Sequence, residues 1–228
     1  MRLDEHVRGV LFDLFGTLVA PLTQAIRDEV SVLMAGDLGV AGAQFAAAFK
    51  ASYQDRCLGR LGDVEQTLYE LAARCGGQPR PAQLGRAAGR RLAITREFLA
   101  SDPDTLATLS ELKRRGLRLG LVSDCSLETP TEWPGSPLSP YFDCAAFSCL
   151  LAVRKPDPRI YQHVLDELGL KPDECVYVGD GDSSELSGAL RLGMRAIRIC
   201  RPGSRATDRY SDDADFEGVE IVGVAELL

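Results

Sequence analysis

The stretch GVLFDLFGTLV, residues 9 to 19, decides how the rest of the chain is read. Gly9 to Phe12 is aliphatic and aromatic and too short for a helix, so it predicts a buried strand. Asp13 ends that strand with a carboxylate, and Gly16 and Thr17 follow in what reads as a tight turn. Phe15 stands two residues beyond the acid. A charge at the end of a buried strand is costly unless the fold uses it.

From residue 101 onward, strand and helix patterns alternate. DPDTLATLSELKRRG reads as a helix, with Asp102 as N-cap, Pro103 at the first position, cations in the last turn and Gly116 after it. LRLGLVSD, CAAFS, CVYVGD, RAIRIC and VEIVG read as strands, with helices from Asp157–Pro158 to about Leu168 and over SSELSGALRLG. ETPTEWPGSPLSPYFD carries four prolines and is expected to be loop. GSRATDRYSDDADFEG, with its acidic SDDADFE, reads as a solvated loop. This alternation implies an α/β fold, a Rossmann-like parallel sheet with helices on both faces. Residues 21–100 differ. They are rich in Ala, Leu, Gln and Arg, show no convincing strand, and predict three to five helices broken near 36–39, 59–62 and 76–81. The expected organisation is a core from 1–20 and 101–228, with an inserted all-helical cap at 21–100.

The totals narrow the class. The 228 residues are ample for a real core. A net charge of −7 and a pI near 5.0 argue against a nucleic-acid surface. Seven cysteines with no C-x-x-C pair suggest free thiols in a reducing, cytoplasmic setting. No window approaches the roughly 18 apolar residues of a membrane span, and no cleavage site follows the N-terminus.

Asp13, Ser123–Asp124 and Asp180 each stand just past a predicted strand. In open parallel sheets, ligands bind beyond those carboxyl ends. If the strands are neighbours, the polar groups converge in one crevice, and the helical insert leaves the chain where it would cover it. Asp180, Asp182 and Glu185 put three carboxylates into six residues. With Asp13 they would crowd one small site, raising each other's pKa. A hard dication such as magnesium relieves that crowding with oxygen ligands.

Four pieces in order, FDLFGTLV (12–19), GLVSD (120–124), RKPDPRIY (154–161) and VGDGDSSELSGALRLGM (178–194), resemble the haloacid dehalogenase-like hydrolase superfamily, in its helical-cap subgroup. The resemblance implies Asp13 as a nucleophile that forms a covalent intermediate. It implies substrate contacts from the turn at Gly16 and Thr17, from Ser123 and from Asp124. Lys155 would supply positive charge. Magnesium would be held by Asp13, the Phe15 backbone carbonyl, Asp180 and Glu185. A purely local alternative exists for two acids: Asp182 as N-cap and Glu185 at the third helical position would form a capping-box-like pair.

Phe15 departs from the pattern of the family's phosphatases, which carry Asp there as general acid and base, help typically worth roughly 10²- to 10⁴-fold. The family's haloacid dehalogenases carry an aromatic residue there, and RKPDPRIY resembles their Lys-plus-Tyr segment, which makes Tyr161 a candidate. Those enzymes need no metal and have neutral residues where this chain has Asp180 and Asp182. A missing acid slows a reaction, whereas an uncompensated carboxylate cluster threatens the site. The expectation is therefore a magnesium-dependent hydrolase, a phosphatase of small phosphorylated metabolites. A metal-independent 2-haloacid dehalogenase and a non-catalytic phospho-ligand-binding homologue are the alternatives. His6 and His163 lack metal-ligand spacing, Cys125 reads as a structural thiol, and Trp133 either brushes the crevice mouth or packs. Arg27 and Arg56 read as solvated cap arginines within reach of an anionic substrate.

Overall fold

A computed structural model describes residues 3–20, 24–201 and 212–228. Its strands are β1 (Gly9–Phe12), β2 (Arg118–Ser123), β3 (Cys144–Phe147), β4 (Cys175–Gly179), β5 (Arg195–Ile199) and β6 (Val219–Ile221). They form one sheet in the order β3-β2-β1-β4-β5-β6, with every neighbouring pair parallel. The helices α1 (Gln24–Leu38), α2 (Gly42–Ala51), α3 (Tyr53–Cys57), α4 (Val64–Arg74) and α5 (Pro81–Phe98) follow β1. Then α6 (Pro103–Arg114) leads into β2, and α7 (Glu128–Glu132) and α8 (Ser148–Leu151) lie either side of β3. Last come α9 (Pro158–Leu168) before β4 and α10 (Glu185–Arg191) before β5.

Both sheet faces are covered, as a parallel sheet requires. Successive residues of a strand point to opposite faces, and β1 shows it. Val10 and Phe12 join Leu109 and Leu112 of α6 in one buried cluster, while Leu11 joins Ile160, Val164 and Leu168 of α9 in another. Gly120 lets α9 lie close to β2, because a Cβ there would fall 2.3 Å from a Val164 methyl. The helices are capped as their sequences predict: Asp102 accepts from the Thr105 N–H at 2.7 Å and Asp157 from the Arg159 N–H at 3.0 Å. Gly169 ends α9 in the left-handed conformation.

A third buried cluster, including Met34, Phe45, Leu68, Leu71 and Ala87, belongs wholly to α1, α2, α4 and α5. This helical unit meets the sheet unit through charged and close backbone contacts. Arg56 bonds Ser126 and Arg91 pairs with Glu128. Gly59 sits against the Cys149 carbonyl, where a Cβ would come within 2.3 Å. The expected start of the insert falls on 21–23, outside the described residues. No single described helix is long and apolar enough to cross a membrane; α1 and α2 pass such a test only together, across a 119° bend.

Two loop expectations need correction. The proline-rich stretch contains α7 and two short 3-10 turns. Pro130 is accommodated because it lies in the first turn of α7, where a backbone N–H has no intrahelical partner to lose. The expected loop GSRATDRYSDDADFEG lies partly outside the described residues, but Asp213 within it is buried, not solvated, and its carboxylate receives the Leu186 and Ser187 N–H groups at the start of α10.

Candidate active site

The sheet order reverses at β1 and β4, and the crevice beyond their carboxyl ends collects the polar residues. Asp13 prolongs β1 by one hydrogen bond, from its N–H to the Val178 carbonyl at 2.9 Å. Its carboxylate accepts from the Thr17 hydroxyl at 3.0 Å on one oxygen and from Lys155 Nζ at 2.5 Å on the other. The turn that follows closes on the Leu14 carbonyl, which receives the Thr17, Leu18 and Val19 N–H groups. Gly16 adopts φ +88°, and a Cβ there would fall 2.1 Å from Asp180 Oδ2. Both its conformation and the absent side chain are therefore required.

The N–H groups of Gly16 and Thr17 are already bonded, to the Val19 and Leu14 carbonyls. The expectation that they hold an anion is corrected accordingly. The unclaimed donors are the N–H groups of Leu14 and Phe15, which have no acceptor among the described residues. The Phe15 ring packs against the apolar cluster on one sheet face, so its side chain supplies no polar group.

Ser123 ends β2, and its hydroxyl is buried with no hydrogen-bond partner among the described residues. A buried, unsatisfied hydroxyl is unfavourable, and at the carboxyl end of β2 it is a group that a ligand in the crevice could satisfy. Asp124, next in sequence, is engaged on both oxygens, by the Lys155 N–H at 3.0 Å and by Arg154 Nε at 3.1 Å. It braces the loop that carries Lys155; a direct substrate contact, as expected from sequence, is not where the structure spends it.

Lys155 is buried, not a surface lysine, and its ammonium spans Asp13 and Glu185 Oε2 at 2.5 and 2.6 Å. Burial works against its charge, but Asp13 and Glu185 outweigh it and hold its pKa well above the usual value. Glu185 opens α10 with its side chain turned inward and fully buried. Besides Lys155 it accepts from the Tyr177 hydroxyl at 2.8 Å and the Gly181 N–H at 2.9 Å. Tyr161 donates to the Glu185 backbone carbonyl at 3.0 Å. Neither Glu185 nor Asp182 caps α10: Asp182 is exposed and turns back onto the Ser183 N–H, while Asp213 does the capping. Ser183 and Ser184 both hold left-handed φ values, 57° and 50°, a conformation that side chains other than glycine's adopt at a cost.

Oxygens of Asp13, Asp180 and Glu185 all lie within 4.8 Å of one another. Burial first, and then the Asp13 charge, push Asp180 up to about 7. Burial, with the Asp13 charge, likewise raises Glu185 well above the carboxylate range. Fully ionised, three carboxylates around one ammonium would carry two surplus negative charges, the amount one dication neutralises. The oxygen-only donor set, buried at Asp13 and Glu185 and half-buried at Asp180, suits a hard cation.

The helical unit contributes more than the sequence suggested. Arg56 is buried, bonded to Ser52, Ser126 and the Phe49 carbonyl, so the solvated-arginine expectation fails for it. Arg27 is exposed beside the Tyr53 ring, 5.8 Å from its centroid. Trp133 packs on Phe142 and Phe147. Cys125 is buried with its sulfur 4.0 Å from that of Cys149, and both histidines are exposed. Tyr177, Arg154 and Asp213 were missed. Tyr177 looked like one more core residue, Arg154 was overshadowed by its neighbour, and Asp213 has no local signal because its partners lie 26 and 27 residues away.

A strand-end carboxylate bound to a lysine, beside an acidic loop on a Rossmann-like sheet, is an arrangement suited to a hydrolase. The family model for haloacid dehalogenase-like hydrolases matches residues 7–193, and the chain belongs to that family. It is 31% identical over 159 residues to a glyceraldehyde 3-phosphate phosphatase of Methanopyrus kandleri, covering 69% of this chain and 68% of that protein. It is 33% identical over 115 residues to the (S)-2-haloacid dehalogenase 4A of Burkholderia cepacia, covering 50% and 49%. Among solved structures, a HAD phosphatase from Thermococcus onnurineus aligns over 96% of this chain and 95% of that one, with a TM-score of 0.64 and 25% identity.

Proposed function

We propose that the chain is a magnesium-dependent phosphatase of small phosphorylated metabolites, with Asp13 as nucleophile. What supports it most is the trio of buried Asp13, half-buried Asp180 and buried Glu185, whose charge Lys155 only partly offsets. Asp13, Asp180 and the Phe15 backbone carbonyl would hold the ion. Glu185, with donors on both oxygens, would sit behind it and position Lys155. When bound, magnesium would neutralise charge on the phosphoryl oxygens.

An Asp13 oxygen attacks phosphorus, the bond to the ester oxygen breaks, and its electron pair leaves with the alcohol. Phe15 offers no proton, so that oxygen takes one from water. Water then attacks the aspartyl phosphate at phosphorus, its displaced proton passes to solvent, and Asp13 is restored as phosphate departs. Lys155, Ser123 and the N–H groups of Leu14 and Phe15 hold the phosphoryl oxygens through both steps. Residues 21–100 act as the cap that covers the crevice and selects the substrate. A reducing compartment such as the cytoplasm suits the seven thiols.

A metal-free 2-haloacid dehalogenase is the second reading, favoured by Phe15 and by the Burkholderia relative. Tyr161 counts against it here, being fully buried with its hydroxyl spent on the Glu185 carbonyl. Hydrolysis of an aryl phosphate with magnesium and with chelator tests the first reading. Metal-dependent turnover is expected; equal rates in both would remove it, and halide release from 2-chloropropionate without metal would install the second.

A further inference from the structure

Resting on the phosphatase reading, we propose that Arg154 is a substrate-selecting residue: it binds a second anion, a carboxylate or a further phosphate, carried by the leaving group of the ester. Arg154 directly precedes Lys155, so its backbone lies about 3.8 Å from that of the residue reaching the phosphoryl site. Its guanidinium has five N–H donors. Nε is bonded to Asp124 at 3.1 Å, and Nη2 makes a long contact of 3.5 Å to the Ser183 hydroxyl. Nη1 has no acceptor among the described residues. The side chain is 20% exposed, so it is reachable while half withdrawn from water.

The helical unit covers this guanidinium with an aromatic face. The Tyr53 ring centroid lies 5.2 Å from the Arg154 guanidinium carbon. The guanidinium carbons of Arg27 and Arg56 lie 5.8 and 5.9 Å from the same ring. Three cations from two parts of the chain thus converge on one tyrosine at the mouth of the crevice. Asp124 and Ser183, the two groups that Arg154 touches, come from the loops after β2 and β4 that frame the crevice. A guanidinium with spare coplanar donors matches a carboxylate or phosphate better than a neutral hydroxyl. Partial exclusion of water by Tyr53 strengthens that preference. The substrate class that fits is a short phosphate monoester of a hydroxy acid, or a bisphosphate, with the second anion a few bonds from the phosphoryl group.

The test is kcat/KM with magnesium for phosphoglycolate and ethyl phosphate, in the wild type, Arg154→Met, Arg154→Lys and Tyr53→Ala. The wild type is expected to favour phosphoglycolate on the order of 10- to 100-fold. Arg154→Met should collapse that ratio toward the intrinsic difference between the two esters, and Arg154→Lys should keep part of it. Slackening of the Asp124 brace affects both substrates, so the ratio separates recognition from damage. An unchanged ratio in Arg154→Met, or no preference in the wild type, overturns the proposal. Should Arg154→Met fail to fold, Tyr53→Ala decides, with a lowered ratio expected and an unaltered one fatal. If neither ester turns over, the phosphatase reading fails by itself. Calorimetric titration of the same two compounds then decides the subsite, tighter phosphoglycolate supporting it and equal affinities overturning it.

Discussion

Glu128→Gln tests how the helical unit is held to the sheet. Glu128 lies in α7 with its side chain buried, and it accepts from Arg91 of α5 and from the Ser126 hydroxyl, which itself receives Arg56 of α3. Burial alone would raise its pKa, but Arg91 and then Arg56 prevail and bring it down from 4.5 to about 2. Burial lowers Arg56 only to about 10, so it stays charged at neutral pH. A carboxylate with a depressed folded pKa contributes stability above its unfolded pKa and loses it as pH falls toward the folded value. At about 1.4 kcal/mol per unit, the contribution is roughly 3 kcal/mol at pH 7. It falls to about 2 kcal/mol near pH 3.5 and below about 0.5 near pH 2. Removing one partner of a buried pair typically costs about 3–5 kcal/mol, in line with this. Urea unfolding of wild type and Glu128→Gln across this pH range should show a gap near 3 kcal/mol that shrinks in acid, because the protonated wild type comes to resemble its variant. A gap that is constant or widens in acid would refute the reasoning.

Other outcomes follow from the crevice. Phe15→Asp puts a titratable carboxyl two residues after Asp13, where the resembled phosphatases carry their general acid, and should raise aryl or alkyl phosphate turnover by roughly 10²- to 10⁴-fold; steady-state rates check it, and no gain would locate the missing proton elsewhere. Ser123→Ala removes a hydroxyl that bonds nothing among the described residues, so thermal stability should hold or rise by about 1 kcal/mol while phosphatase kcat/KM drops at least about tenfold. Gly16→Ala forces a Cβ into the Asp180 carboxylate and should abolish magnesium binding by calorimetry. Asp180 has its folded pKa raised from 3.8 to about 7, so in chelator stability should decline as pH climbs through that window, and millimolar magnesium should flatten the Tm–pH curve between pH 6 and 8. A flat curve in chelator would contradict the crowding.

The parallel sheet was legible because each strand is a short apolar run ended by a turn residue, and because Asp102 and Asp157 announce their helices. Asp13, Ser123, Lys155 and Asp180 were legible as strand-end or loop polar groups that a single topology brings together. Glu185 was only half legible: its spacing after Asp182 suggests a cap, and nothing local reveals that its side chain turns inward to Lys155 and Tyr177. The Gly16 and Thr17 amides were misjudged because a turn that closes on its own carbonyls looks, in sequence, the same as one that leaves them open. Arg56 and Tyr53 depend on how one packed unit meets another, a relation that local periodicity does not carry.

The Asp213 carboxylate reaches back to the amides that begin α10, next to Glu185. The candidate site is therefore not held entirely by residues 7–193, the segment that the family pattern spans. A remote carboxylate acts as a splint for the helix that carries Glu185. Losing that aspartate would loosen the lysine's seat from a distance, even with every motif within residues 7–193 left intact.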